Sequence, residues 1–327
     1  DIGFLFVAVV YWALLLLWQF CLPVIRLSSA PKSASSTGFI ILTVGACLFV
    51  LYISGRYTGF RISFHLIEVY GIRSEADAYA IPVILEYVLS AMSVVLSILL
   101  LYWLQKKKYL IVVGLVVIFW LYYSISALKS VFMFLFLILA CALVYRKWML
   151  RWISGFLSLA VLMAFLEEKI LGTTYLLFLL FYRMMMLPIQ LAEEAALFFR
   201  EHPLNLFRDG IMGKFSFESI YSTPIQKVLG EQSCYPESFA NVGLLGDFFT
   251  NLPVVLGLVL LPLILVLCFR LLDLVSGNIT PKILIAFCVF FAYGFSNMSW
   301  STVLLTNGYL LACVLLYFFP KEEGSHL

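Results

Sequence analysis

The run "FFTNLPVVLGLVLLPLILVLCF", residues 248–269, contains no charged side chain. A helix rises about 1.5 Å per residue, so about 20 apolar residues match the roughly 30 Å hydrocarbon core of a bilayer. The absence of charge over this length therefore predicts a transmembrane helix, and the rest of the chain can be compared with it.

The composition of the chain excludes an ordinary soluble domain. Hydrophobic residues make up 64% of the sequence, charged residues only 12%, and the mean hydropathy is +1.05. A soluble domain has about 25% charged residues. The net charge of +3 belongs to the loops between apolar runs and does not form a pattern typical of nucleic-acid binding.

Further apolar runs predict about nine spans in total. Four charge-free runs have spanning length, namely 2–25, 33–55, 87–105 and 109–128. Residues 283–320 predict two passes, separated by the polar stretch "SNMSWST" at 296–302. Two shorter runs, 130–145 and 152–166, complete the set, because the basic side chains between them can extend toward the interface. The expected fold class is an all-α, polytopic transmembrane bundle.

Short basic loops predict the orientation of the bundle. Lysine and arginine recur on one side of the alternating spans, and by the positive-inside rule that side is cytoplasmic. The prediction then divides the chain into three regions: 1–166, a first transmembrane half with an outer interfacial segment at 56–79; 167–251, a large helical outer loop; and 252–327, the C-terminal transmembrane helices. We expect a multi-pass membrane protein with the 167–251 loop on its outer side.

The outer loop opens with "LFYRMMMLPIQLAEEAALFFREHPLNLFRDG", residues 180–210. Pro188 suits the first turn of a helix, and Pro203 suits the residues after its end. Burying Glu193 and Glu194 at the bilayer centre costs about 3 kcal/mol each, which favours an external helix over another span. Arg183 comes directly before this helix, near the expected membrane surface.

The other outer segment, "RYTGFRISFHLIEVYGIR" at 56–73, has two interpretations. Arg61, His65 and Glu68 are spaced to share one face of a helix, opposite an apolar face. The segment is either an amphipathic lid held by an ion pair, or a cationic face that closes over a polar substrate.

The end of the loop, "ESFANVGLLGDF" at 237–248, leads directly into the run that opened this section. Gly243 and Gly246 are predicted to permit close backbone approach there. Together with the many spans and the Arg183-then-Pro188 segment, the stretch from Phe239 to Gly246 resembles the O-antigen and oligosaccharide repeat-unit polymerases, which are membrane glycosyltransferases of the GT-C kind. That family more often has ten or more spans, so we expect a further segment before Asp1.

The resemblance implies transfer of a growing glycan from a polyprenyl pyrophosphate carrier to a hydroxyl of the next lipid-linked repeat unit, at the outer (periplasmic) face of the bacterial cytoplasmic membrane. Such a reaction needs cations on the leaving pyrophosphate and a base for the acceptor proton. The predicted substrate-binding residues are Arg183, Arg208 and Lys214, with Arg200 and Arg61 as further members. The predicted bases are Glu237, His202, Asp247 and His65, with Glu237 favoured.

No metal site or cofactor is expected, so arginine would take the place of a divalent cation. The expected partners are lipid-linked oligosaccharide, membrane lipid and a chain-length regulator protein. Three alternatives stay open: an O-antigen ligase that transfers glycan to lipid A, a transporter, and a non-enzymatic membrane scaffold. Because the predicted spans carry almost no charge, an ion-coupled transporter is disfavoured.

The predicted orientation can be tested by labelling with an impermeant maleimide in intact cells. A single cysteine at Ser216 should react, because 167–251 is predicted to face outward, whereas one at Gln105 should stay unlabelled. The reverse labelling would place the outer loop in the cytoplasm and contradict the proposed side of the chemistry.

Overall fold

The structure is a computed structural model that describes residues 2–23, 36–62, 79–126, 129–143, 147–178, 182, 186–209, 219–232 and 242–320. Within these ranges the regular structure is entirely helical. The predicted all-α class is therefore confirmed for the described part of the chain.

Twelve α-helices follow one another along the described residues. They are α1 (Ile2–Cys21), α2 (Ser36–Ile53), α3 (Val83–Gln105), α4 (Tyr109–Ser126), α5 (Lys129–Leu143), α6 (Lys147–Leu171), α7 (Leu187–Glu201), α8 (Ile225–Gln232), α9 (Gly243–Asn251), α10 (Val254–Val275), α11 (Pro281–Asn297) and α12 (Tyr309–Tyr317). A π-helical turn, Ser54–Thr58, extends α2, and another, Thr302–Thr306, lies between α11 and α12.

Three of these helices are long and apolar enough to cross a membrane: Ser36–Thr58, Val83–Gln105 and Val254–Val275. Five shorter apolar helical stretches accompany them in the described residues, Val9–Cys21, Tyr109–Ile125, Phe134–Leu143, Ile283–Asn297 and Thr302–Tyr317. The helices are those of a membrane protein, while the total of about nine spans stays a prediction.

The span predicted at 248–269 begins too early. Its first residues belong to α9, which ends at Asn251, and Leu252 then has extended backbone with φ −131° and ψ 152°. Pro253 follows, and a residue before proline is disfavoured in helical conformation, so the chain breaks there and α10 begins at Val254. The break predicted at 296–302 is confirmed, because α11 ends at Asn297.

The described chain packs as two compact units. Unit 1 comprises Asp1–Val24, Arg146–Arg270 and Ala292–Val303, and unit 2 comprises Ile25–Tyr145, Leu271–Phe291 and Leu304–Leu327. These units reflect packing, whereas the predicted regions 1–166, 167–251 and 252–327 rest on membrane topology and stay a prediction.

Unit 2 is built around α3. Its side chains from Val94 to Leu101 are almost completely buried, and α2, α4, α5 and α12 pack against it. The indole N–H of Trp103 donates to the hydroxyl of Thr43 on α2 at 2.9 Å. An internal helix of this kind is apolar on every side, as the sequence of α3 is.

Unit 1 contains the predicted outer helix, α7. Pro188 lies in its first turn and the helix ends at Glu201, just before the predicted stop at Pro203. One face of α7, carrying Ala192 and Ala195, is buried against α9, and another contacts α8. The buried core shared by these helices consists of Leu191, Ala195, Phe199, Ile225, Leu229 and Val242.

Gly243 and Gly246 permit close backbone approach, as the sequence predicted. Gly243 begins α9 with a left-handed φ of +62°, and a Cβ there would collide with the carbonyl of Ser296. A Cβ on Gly246 would meet the side chain of Val242 and lie 3.4 Å from the Cα of Ala192. The two glycines therefore fix how closely α9 approaches both α7 and the end of α11.

Replacing Gly243 with alanine should destabilise unit 1 more than the same change at Gly172, which has φ +65° with no neighbour within 4 Å. Left-handed backbone costs alanine about 1–2 kcal/mol at either position. Only Gly243 adds a collision, worth about 1–3 kcal/mol more. Thermal unfolding in detergent measures the difference, and equal losses at the two positions would show that the close approach is not present.

Candidate functional site

The candidate site is centred on the carboxyl group of Asp247, which lies in the middle of α9 and is only 7% exposed. One carboxyl oxygen, Oδ2, accepts a hydrogen bond from the backbone N–H of Trp300 at 3.1 Å. Trp300 lies where helical structure resumes after Asn297, and the first N–H groups of a helix have no partner within it. Asp247 thus caps that helical stretch from a different element, 53 residues away in sequence.

Asn251, one helical turn after Asp247, connects the carboxyl group to a second segment. Its Nδ2 donates to Asp247 Oδ1 at 3.2 Å and to the Asp247 carbonyl at 2.6 Å. Its Oδ1 accepts the backbone N–H of Phe207 at 2.5 Å. The neighbouring Thr250 also accepts the backbone N–H of Asn205 through its carbonyl at 2.9 Å. The end of α9 therefore holds the turn 205–208 by two hydrogen bonds from the backbone N–H groups of the turn.

That turn contains two consecutive residues in left-handed conformation, Leu206 with φ +54° and Phe207 with φ +59°. Each costs about 1–3 kcal/mol and persists only where the surroundings hold it. The Phe207 ring contacts Trp300 at a centroid distance of 5.9 Å and Phe248 at 6.2 Å, both edge-on. The hydrogen bonds and these aromatic contacts together stabilise a strained turn beside Asp247.

Burial sets the protonation behaviour of Asp247. Desolvation raises the pKa of its carboxyl from an ordinary value of 3.8 to about 7, against the opposing effect of the hydrogen bonds from Trp300 and Asn251. A carboxyl group with a pKa near neutrality is suited to take up or release a proton at physiological pH. The raised pKa therefore makes Asp247 a candidate for proton transfer.

Among the predicted substrate-binding residues that the structure describes, Arg208 lies in the turn that α9 holds. It is half-buried at the end of the strained turn, and its backbone N–H donates to the Asn205 carbonyl at 3.2 Å. Its position directly after Phe207 places a cation in the segment that Asn251 holds.

Arg200 and His202 lie together at the end of α7, and both are exposed. The His202 ring stacks on Phe198 at 3.9 Å, and its Nδ1 lies 2.9 Å from the Phe198 carbonyl, at the C-terminal end of the helix. This arrangement gives His202 a structural role as a helix cap, and none of its described contacts joins it to Asp247.

The residues around the turn are supported by a second capping interaction. Asp209 Oδ2 accepts the backbone N–H of Ile225 at 2.8 Å, at the start of α8. The Tyr221 hydroxyl donates to the Pro203 carbonyl at 2.6 Å, and burial together with the nearby Asp209 raises the pKa of that hydroxyl. These contacts fix the segment on both sides of the strained turn.

The remaining predicted residues lie either in unit 2 or outside the described part of the chain. Arg61 is half-buried after the left-handed residues Gly59 and Phe60, and it belongs to unit 2. Four more lie outside the described residues: Glu237, His65, Arg183 and Lys214. Their predicted roles stay predictions.

Three site residues were not predicted from the sequence: Asn205, Asn251 and Trp300. Asn251 follows Asp247 by four positions, a spacing that brings two side chains together on a helix, so a pattern for it was available. Trp300 lies within the polar stretch 296–302, which was read only as a break between two passes. No group of three or more potential metal-ligating side chains occurs among the described residues.

Comparisons with protein-family models, curated proteins and solved structures gave no match. The function is therefore argued from the residues and geometry of this chain.

The raised pKa of Asp247 predicts a pH dependence of stability. The folded chain holds this proton more tightly than the unfolded chain does. The stabilisation that protonated Asp247 gives the fold is therefore complete below pH about 4 and is lost as the pH rises through about 7. The Asp247→Asn side chain cannot titrate. The melting temperature of this variant should therefore rise relative to that of the wild type as the pH increases from 5 to 8. Melting curves that stay parallel over this range would contradict a raised pKa.

Proposed function

We propose that the chain is a glycosyltransferase that polymerises oligosaccharide repeat units carried on polyprenyl pyrophosphate. It would act at the outer face of the bacterial cytoplasmic membrane, on a GT-C-like bundle of about nine spans. The observation that carries this proposal is the position of α9. Gly243 and Gly246, from the stretch on which the resemblance rests, lie in this helix together with a buried carboxyl group. The helix is held to a turn that carries Arg208 and is followed at once by the span-length helix α10.

Asp247 is proposed as the base. The acceptor hydroxyl oxygen attacks the anomeric carbon at the reducing end of the donor glycan, and its proton passes to the carboxylate. The bond between that carbon and the pyrophosphate oxygen breaks, and polyprenyl pyrophosphate leaves with the bonding electrons. A pKa of about 7 leaves much of the carboxyl ionised at neutral pH while keeping it basic enough to accept this proton.

The leaving pyrophosphate requires positive charge. Arg208 is the described residue best placed for this role, since it is half-buried beside the Asp247 network. An arginine contacts two phosphate oxygens with a planar guanidinium, which an ammonium group cannot do. Arg183 and Lys214 are proposed to complete the cationic site, with Arg200 more peripheral because it is exposed at the end of α7.

The position of the site also suits a substrate of this kind. A polyprenyl tail must remain in the bilayer while its pyrophosphate reaches the cations. Because α10 begins three residues after Asn251, the residue that binds the Asp247 carboxyl group, the site lies directly before a helix of spanning length. A soluble sugar donor would not require this proximity.

Reconstitution distinguishes the proposed polymerase from its alternatives. The purified protein is placed in liposomes with lipid-linked repeat unit alone, and the products are separated by size. A ladder of longer glycans supports the polymerase. Product that forms only when lipid A is added supports a ligase instead, and no product under either condition contradicts a glycosyltransferase.

Variants of Arg183 test the cationic site in the same assay. Arg183→Ala should lower the rate about a hundredfold, since losing one preorganised charge contact to a leaving group costs about 3 kcal/mol. Arg183→Lys should restore only part of the rate, because the ammonium group loses the paired contacts.

Lys227→Ala serves as the control for that comparison. Lys227 lies in α8, whose contacts are with α7, and its loss should change the rate by no more than a few-fold. Near-normal activity in both Arg183 variants would show that Arg183 only anchors the chain at the interface.

A further inference from the structure

Two polar side-chain atoms, in two segments that are hydrogen-bonded to α9, are buried without a hydrogen-bond partner in the described part of the chain. They are the acceptor Oδ1 of Asn205 and the donor Nε1 of Trp300. Asn205 as a whole is only 1% exposed. An unpaired donor or acceptor in such a position does not stabilise the fold, since an apolar side chain of similar shape would give a fold at least as stable.

The backbone of Asn205 is, by contrast, fully paired. Its N–H donates to the Thr250 carbonyl at 2.9 Å, and its carbonyl accepts the N–H of Arg208 at 3.2 Å. The backbone therefore explains the position of residue 205, but not the choice of an amide side chain there. Most buried polar side chains have a partner, so an exception of this kind points to a group that binds from outside the chain.

The two unpaired atoms belong to one cluster. Trp300 donates its backbone N–H to Asp247 and contacts the Phe207 ring. Phe207 is two residues from Asn205, across the left-handed Leu206, and its own N–H is held by Asn251. The cluster thus combines a neutral acceptor, a neutral donor and two aromatic rings beside the proposed base.

This combination matches the chemistry of a sugar and not that of a pyrophosphate. Sugar hydroxyls both donate and accept, and the C–H faces of a pyranose pack against aromatic rings, whereas a pyrophosphate requires cations. We propose that Asn205, Phe207 and Trp300 form the subsite for the acceptor sugar. One hydroxyl donates to Asn205 Oδ1 and another accepts from Trp300 Nε1, which brings the acceptor ring next to Asp247.

The subsite is closed to solvent in this structure. Both unpaired atoms are buried, so we infer that a sugar reaches them when the strained turn at Leu206 and Phe207 leaves its left-handed conformation. The assignment to an acceptor sugar rests on the proposed function, whereas the presence of a sugar site can be measured without it.

Two substitutions remove only the unpaired atoms: Trp300→Phe keeps an aromatic ring, and Asn205→Leu keeps a similar shape. Each should raise KM for the lipid-linked repeat unit about tenfold, the effect of one lost hydrogen bond, with a smaller change in kcat. Each should lower the melting temperature less than the loss of a paired side chain does, because no internal hydrogen bond is lost.

Ser276→Ala is the control outside the site. Ser276 is buried in unit 2, and its hydroxyl is paired, since it donates to the Asp273 carbonyl at 2.9 Å. Its loss should lower the melting temperature while leaving KM unchanged, the opposite of the pattern expected for Asn205 and Trp300.

A binding measurement separates this inference from the polymerase itself. The probe is the lipid-free oligosaccharide repeat unit, released from its carrier by mild acid, and the readout is the rise in melting temperature that it causes. The rise should occur in the wild type and in Ser276→Ala, and it should be lost in Trp300→Phe and Asn205→Leu.

Each outcome decides between the two proposals. If the wild type makes glycan ladders but KM and the sugar-induced rise are the same in all variants, the unpaired atoms hold only water and the subsite is wrong. If the wild type makes no ladder, the proposed function fails, and a sugar-induced rise that the two variants abolish still supports the subsite. No rise in the wild type overturns the subsite in either case.

Discussion

The arrangement of unit 1 around the site depends on one buried carboxyl group, that of Asp247. It caps the helical stretch that begins at Trp300 and binds Asn251, which in turn holds the Phe207 turn. Gly243 makes this possible, because α9 must approach the end of α11 more closely than any side chain at that position allows. A buried carboxyl group thus fixes three segments that are distant in sequence.

Burial of the Asp247 carboxyl group also determines the pH at which it exchanges a proton. Removing a carboxyl group from water disfavours its charged form, and here the two hydrogen bonds offset only part of that effect. The result is a group that can exchange a proton near neutral pH, next to a strained turn and a half-buried arginine. Strain, buried polar atoms and a shifted pKa occur together more often at functional sites than in structural cores, which is why the proposed chemistry is placed here.

Hydropathy was sufficient to predict most of the helices, and proline positions predicted both ends of α7. The boundary of α10 was missed because Thr250, Asn251 and Leu252 carry no charge, so only Pro253 distinguished two helices from one span. Within the site, Asp247 and Arg208 were among the predicted residues. The partners Trp300 and Asn205 were not, because their roles arise from backbone contacts across 45 to 53 residues, which local patterns do not encode.

The most direct test of this account is a titration of the Asp247 carboxyl group in the folded protein. Infrared difference spectra of the wild type against Asp247→Asn, recorded across pH 4 to 9 in nanodiscs, isolate its protonated C=O band. A midpoint near pH 7 is the expected result, since the group is buried and only partly compensated by Trp300 and Asn251. A midpoint near pH 4 would show an ordinary hydrated aspartate, and it would contradict both the buried network and the proposed base.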